Sequence, residues 1–184
     1  MSKLIIPPQP GSLYFVIDKF WNGTPCPDAP YHAEVWISQS SKGLVIRTHC
    51  QILPHQRIPD APRDTRVDGL WEYDVVEVFL VGADGKYLEV ELGAGGHWLV
   101  LGFDGVRQRS NDYATFHPDH RNSSAVAGTW QSIITIPWEM VPQPLTRLNA
   151  YAIFDGKFLA MSPVPGAEPD FHQPDTFPEV EIQK

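Results

Sequence analysis

Eighteen prolines and fourteen glycines break this 184-residue chain so often that long helices have little room to form. Proline removes a backbone donor and clashes inside a helix, and glycine costs a helix backbone entropy. What lies between them is short runs of alternating apolar and polar residues, the period of a strand with one buried face. Such runs place strands near residues 12–20, 31–38, 43–50, 75–81, 86–92, 97–103, 129–136 and 148–154, with a last short one at 158–162. Residues 137–141, "PWEMV", are the one candidate helical turn, with Pro137 at its first position. Many short strands split by turn residues predict an all-β chain: a single antiparallel β-sandwich of about ten strands over residues 1–184, of jelly-roll type.

The bulk numbers narrow the function classes. Net charge is −8, from 14 basic and 22 acidic residues. A phosphate-backbone partner needs clustered Lys and Arg, so nucleic acid is not expected. No apolar run approaches membrane length, and no membrane partner is expected. The start "MSKLIIPPQPGS" does not read as a signal peptide, so the expectation is cytoplasmic, with Cys26 and Cys50 reduced. The Asn22-Gly23-Thr24 and Asn122-Ser123-Ser124 sequons then carry no glycan. GxGxxG, GxSxG, HExxH and CxxC motifs are absent.

The stretch "LWEYDVVEVFL", residues 70–80, concentrates what chemistry there is. Val75, Glu77, Phe79 and Val81 share one strand face, and Asp74, Val76, Val78 and Leu80 the other. Both faces are mostly apolar, as in a central strand covered on both sides. "ADGK", residues 83–86, then turns the chain into "KYLEVEL", whose Glu89 and Glu91 alternate with Leu88, Val90 and Leu92. With a two-residue loop at Asp84-Gly85, Phe79 faces Val90 and Glu77 lies apart from Glu89 and Glu91. A one-residue bulge brings all three glutamates together. Carboxylates so crowded would suit a metal ion such as Ca²⁺, sugar hydroxyls or acid–base work. The alternative is a solvated acidic face. Trp71, just before the acids, could stack on the apolar face of a sugar ring or plug the end of the sandwich. Asp170 and His172, in "PDFH", could bind a ligand or cap their own loop. "HPDH", His117 to His120, reads as structural. Two long irregular stretches, 51–69 and 163–178, hold three and five prolines. Loops of that length are often functional.

"WNGTP", "LWEYDVVEVFL", "YLEVEL", "HWLVL", "NAYAIF" and "PDFH" occur in this order across nearly the whole chain. The chain resembles an uncharacterised protein family of bacteria and animals with these stretches. That family looks like part of the DOMON-like superfamily of β-sandwiches, which includes the family 9 carbohydrate-binding modules. Trp71, Asp74, Glu77 and Phe79 match the strand-start hallmark of those modules. The resemblance implies a sandwich that binds sugar between aromatic rings, with structural calcium. Other superfamily members bind haem through Met and His, for which only Met161 is well enough placed.

The function expected is a non-enzymatic binding domain for a small polar ligand, a carbohydrate first. Its ligand-binding residues would be Trp71, Asp74, Glu77, Glu89, Glu91, His97, Asp170 and His172, at a sandwich end or on a sheet face. The rival readings are an acid–base enzyme acting on a sugar or other small metabolite, and a protein-interaction module.

Overall fold

Alternation across the chain resolves into two antiparallel sheets in the computed structural model, which describes residues 3–28, 30–123 and 127–184. The described strands are β1 (Leu4–Ile6), β2 (Leu13–Ile17), β3 (Lys19–Phe20), β4 (Ala33–Gln39), β5 (Gly43–Gln51), β6 (Val75–Gly82) and β7 (Tyr87–Gly93). They continue as β8 (Trp98–Phe103), β9 (Arg109–Asn111), β10 (His120–Ser123), β11 (Thr129–Pro137), β12 (Leu145–Phe154), β13 (Lys157–Ala160) and β14 (Val180–Ile182). One sheet runs β10-β11-β5-β4-β2 and the other β3-β13-β12-β6-β7-β8-β9. β1 and β14 form a small parallel pair. Ser124, the last residue of the second sequon, lies outside the described residues.

The sandwich interior is built by one parity of each strand. Val35, Ile37, Ile46, Trp130 and Ile134 of the five-stranded sheet pack against Val76, Val78, Leu80, Leu88, Val90 and Val100 of the seven-stranded sheet. The opposite parity of β6, β7, β8 and β12 is also buried. Val75, Phe79, Leu99, Leu101, Tyr151 and Ile153 make a second apolar cluster with Val164, Phe171 and Phe177. A strap over residues 163–178 therefore covers the outer face of the seven-stranded sheet. Each residue of β6 is buried, which is why that strand reads as apolar on both faces.

The departures from expectation are local. The run at 12–20 breaks into β2 and β3 around Asp18, whose carbonyl accepts the N–H of Cys26. Residues 137–141 make an isolated turn in which Pro137 O accepts from Met140 and Val141. The two described 3-10 turns lie elsewhere, at Leu70–Glu72 and Pro174–Thr176. The short strands β1, β9, β10 and β14 carry too few residues for alternation to register, which brings the count above ten. Cys26 and Cys50 are both free thiols. No helix among the described residues is long and apolar enough to cross a membrane.

Candidate ligand site on the outer sheet face

The β6–β7 hairpin sets the site. Gly82 and Lys86 close the hairpin through Gly82 N–H to Lys86 O, and Gly85 N–H returns to Gly82 O. The loop thus has three residues, with Gly85 left-handed at φ 80°. That is a type I turn followed by a one-residue bulge, a common hairpin solution in which the left-handed position favours glycine. The bulge fixes the register: Glu77 faces Glu91, and Phe79 faces Glu89. The two-residue loop would have separated the acids, and the observed one gathers them on the outer face.

The three carboxyls are buried there, Glu77 at 2%, Glu89 at 4% and Glu91 at 0% exposure. Directly opposed residues lie about 5 Å apart at Cβ, so ionised Glu77 and Glu91 repel. Both oxygens of Glu91 lack a hydrogen-bond partner among the described residues. No N–H or O–H of a described residue bonds the carboxyls of Glu77 or Glu89 either; the nearest basic side chain to Glu89 is His172, with Nε2 4.0 Å from Oε2. Burial raises Glu89 to about 7, against the pull of Arg107 and Arg109. Burial, with the charge of Glu89, holds Glu77 well above the usual carboxylate range. Glu91 is raised in the same way by burial, Glu89 and Glu77.

A cavity of about 380 Å³ opens over Glu77 and Glu89. Leu101, Phe103 and Ile153 extend its sheet side, while Pro169, Phe171 and His172 line it from the strap. Trp71, Arg107 and Arg109 complete the wall. Trp71 stands on the 3-10 turn at Leu70–Glu72, which starts from left-handed Gly69 (φ 76°), and stays 39% exposed. Phe171 stacks on Tyr151 at 3.8 Å, and Phe103 on Tyr87 at 4.6 Å. These pairs fix the ring planes around the cavity.

His172 is oriented by a relay. The backbone N–H of Arg107, in a left-handed conformation at φ 56°, donates to the Tyr87 hydroxyl at 3.0 Å. That hydroxyl lies 2.7 Å from His172 Nδ1. With its oxygen accepting from Arg107, the Tyr87 hydroxyl has its proton free to give to Nδ1; in that tautomer the proton of neutral His172 sits on Nε2, the nitrogen nearer Glu89. Burial, aided by Arg107, lowers His172 to about 4, so the ring is neutral at pH 7. Asp170 holds the strap: its Oδ1 takes the Arg107 guanidinium at 2.7 Å and the His172 N–H at 3.0 Å. Arg109 is tied to Asp68 at 2.8 Å and to Asp112.

Of the eight residues expected from sequence, Trp71, Glu77, Glu89, Glu91, Asp170 and His172 gather at this face. Asp74 and His97 do not. Asp74 is 1% exposed and accepts the N–H groups of Arg57 and Asp155, at 3.1 and 2.9 Å. It pins two loops and lines no part of the cavity. His97 Nε2 donates to Ala61 O at 3.0 Å, beside a separate cavity of about 260 Å³ with Gln56, Ile58 and Trp130. Glu72 is exposed. Among the described residues no three His, Cys, Asp or Glu side chains are arranged to hold a metal ion, so the Ca²⁺ expectation finds no ligand set there. His120 bonds Ser132 Oγ at 2.8 Å and lies 3.4 Å from Asp64, yet Ser132 is fully buried between the sheets, out of a substrate's reach. Leu101, Phe103, Arg107, Arg109, Ile153 and Phe171 were not singled out from sequence. Alternation through 97–103 puts Leu101 and Phe103 on the face of Leu99, a usable signal; nothing in the sequence marks the two arginines.

No protein-family model matches the chain. It is 30% identical over 174 residues to the UPF0462 protein C4orf33 homolog of Mus musculus, covering 89% of this chain and 88% of the relative. The chain belongs to the UPF0462 family. The human UPF0462 protein C4orf33 is 30% identical over 172 residues, covering 86% of this chain and 82% of its own. The Danio rerio homolog is 27% identical over 180 residues, covering 92% and 89%. The UPF0462 fold seen here is shared with the crystal structure of a "putative carbohydrate-binding protein" from Bacteroides uniformis. That match has a TM-score of 0.73 at 16% identity and covers 100% of this chain and 98% of the other.

Proposed function

We propose that the cavity on the outer face binds a small polar ligand, a carbohydrate first, and that the protein is a binding domain. The observation that carries this reading is the pairing of a carboxyl floor, Glu77 and Glu89, with aromatic walls, Trp71, Phe103 and Phe171. A sugar offers that combination: hydroxyls around its edge for oxygen acceptors, and C–H faces for rings. The cavity is also of small-molecule size. The carbohydrate-binding name of the Bacteroides uniformis neighbour supports the same reading. Kinship with DOMON-like sandwiches is part of this proposal, supported by the spacing of Trp71, Asp74, Glu77 and Phe79.

Intrinsic tryptophan fluorescence and thermal shift against mono- and disaccharides test it. A saturable response is expected, weakened at least about tenfold in Trp71→Ala with the fold retained. A flat response across the panel, or a response unchanged in Trp71→Ala, would overturn the assignment of the site. One feature favours a second reading, an enzyme. Glu89, raised to about 7, is poised for proton transfer near neutral pH, with Nε2 of His172 4.0 Å away. Turnover of a bound sugar that is lost in Glu89→Gln would select that reading.

A further inference from the structure

Resting on the ligand site just described, we propose that the ligand carries an ammonium group, as an amino sugar does, and that the group seats between the glutamate floor and the aromatic wall. The floor has oxygen acceptors in excess, and among the described residues no Lys or Arg side chain pairs with it directly; Arg107 and Arg109 act on Glu89 only across the cavity. Glu77 and Glu89 line the cavity, are at least nine-tenths buried and accept no hydrogen bond from a described residue; Glu91, behind them, has two oxygens without a partner among the described residues. Buried carboxylates in folded proteins are normally paired, and leaving one unpaired is costly. The two arginines of the wall do not serve this need. Arg107 is taken by Asp170, and Arg109 by Asp68 and Asp112. Each guanidinium thus already carries a carboxylate partner, and the ionised floor would repel an anionic ligand.

An organic cation fits better than a metal ion. The acids do not converge as a metal-ligand set among the described residues, whereas an ammonium spreads its three N–H donors over several oxygens. Trp71, Phe103 and Phe171 line the same space, and an ammonium seated against an aromatic face gains further electrostatic attraction. A net charge of −8 draws cations toward the protein. The step is a proton exchange. The ligand enters as R–NH₃⁺, a floor carboxyl ionises to carboxylate, and its proton passes to solvent. Binding is therefore accompanied by proton release near neutral pH.

Titration calorimetry of the intact chain tests this with matched probes: glucosamine, galactosamine and mannosamine against glucose, galactose and mannose. Runs at pH 7 in two buffers of different ionisation enthalpy read the proton. At least one amine is expected to bind about tenfold or more tighter than its hydroxyl counterpart, with net proton release. Glu77→Gln and Glu89→Gln should each reduce that preference while circular dichroism confirms the fold. Equal affinity for amine and hydroxyl partners, or binding without proton release in the wild-type chain, would overturn the inference and leave the carbohydrate reading standing. Silence from all six probes would overturn it together with that reading.

Discussion

Asp74 receives one N–H from the loop before the 3-10 turn and another from the β12–β13 turn, so removing its carboxyl orphans two donors at once. Asp74→Ala is expected to cost about 2–4 kcal/mol in urea denaturation, while binding at the outer-face cavity persists below the melt. The acids of the floor behave differently with pH. Glu89 ionises near 4.5 when unfolded but near 7 when folded, so stability is full below 4.5 and is lost as pH rises through 7. His172 runs the other way. It protonates near 6.5 when unfolded and about 4 when folded, so its contribution is full above 6.5 and is lost as pH falls through 4. Between 4.5 and 6.5 the two slopes oppose each other. Urea denaturation from pH 4 to 8 should show Glu89→Gln gaining on wild type as pH rises from 4.5 to 7. His172→Phe should gain on it as pH falls from 6.5 to 4. Parallel profiles for all three would contradict the burial of these groups in neutral form.

At the level of elements, the hairpin turn decides whether a site exists. Gly85 is open around its missing Cβ, so only its left-handed backbone resists substitution. Gly85→Val is expected to cost about 1–2 kcal/mol by denaturation, with a smaller cost for Gly85→Asn, which tolerates that conformation. The strands themselves were legible because their interior face alternates: β5, β6, β7, β8 and β11 fall within a residue of where alternation puts them, and β4 begins two residues late. The register was not legible. Asp84-Gly85 suits both a two-residue turn and a bulged three-residue one, so the loop residues alone do not choose between them; in the observed register the Phe79 and Tyr87 rings lie 6.1 Å apart. Asp74 and Glu77 looked alike as acids at a strand head. They sit three apart, an odd spacing that puts them on opposite faces, and only Glu77 faces the strap. The strap itself has no period to read. Its five prolines marked it as unusual, and the two apolar faces of β6 announced that something must cover the sheet. Which residues would do so depends on tertiary packing of Phe171 and Phe177.

Across the whole molecule, burial is unequal between the two faces of the seven-stranded sheet. The interior face is locked against a second sheet, and the outer face only against a strap of irregular backbone. Amides of β6, β7 and β12 are expected to exchange slowest in hydrogen–deuterium exchange, with residues 163–173 opening at a lower free energy. A saturating ligand should slow exchange in the strap before it alters the strands. Strap amides as protected as those of β6 in the free protein would argue against ligand entry by that route.

β6 also divides its labour by parity: Val76, Val78 and Leu80 belong to the sandwich interior, and Glu77 and Phe79 to the cavity side. The two sets touch through backbone alone. A combinatorial library confined to the cavity side, at positions 77, 89, 101 and 103, would thus vary the proposed ligand site while sparing the residues that pack the sandwich interior. The frame and the cavity lining are in that sense separable: one parity of the strand carries the fold and the other is free to carry chemistry.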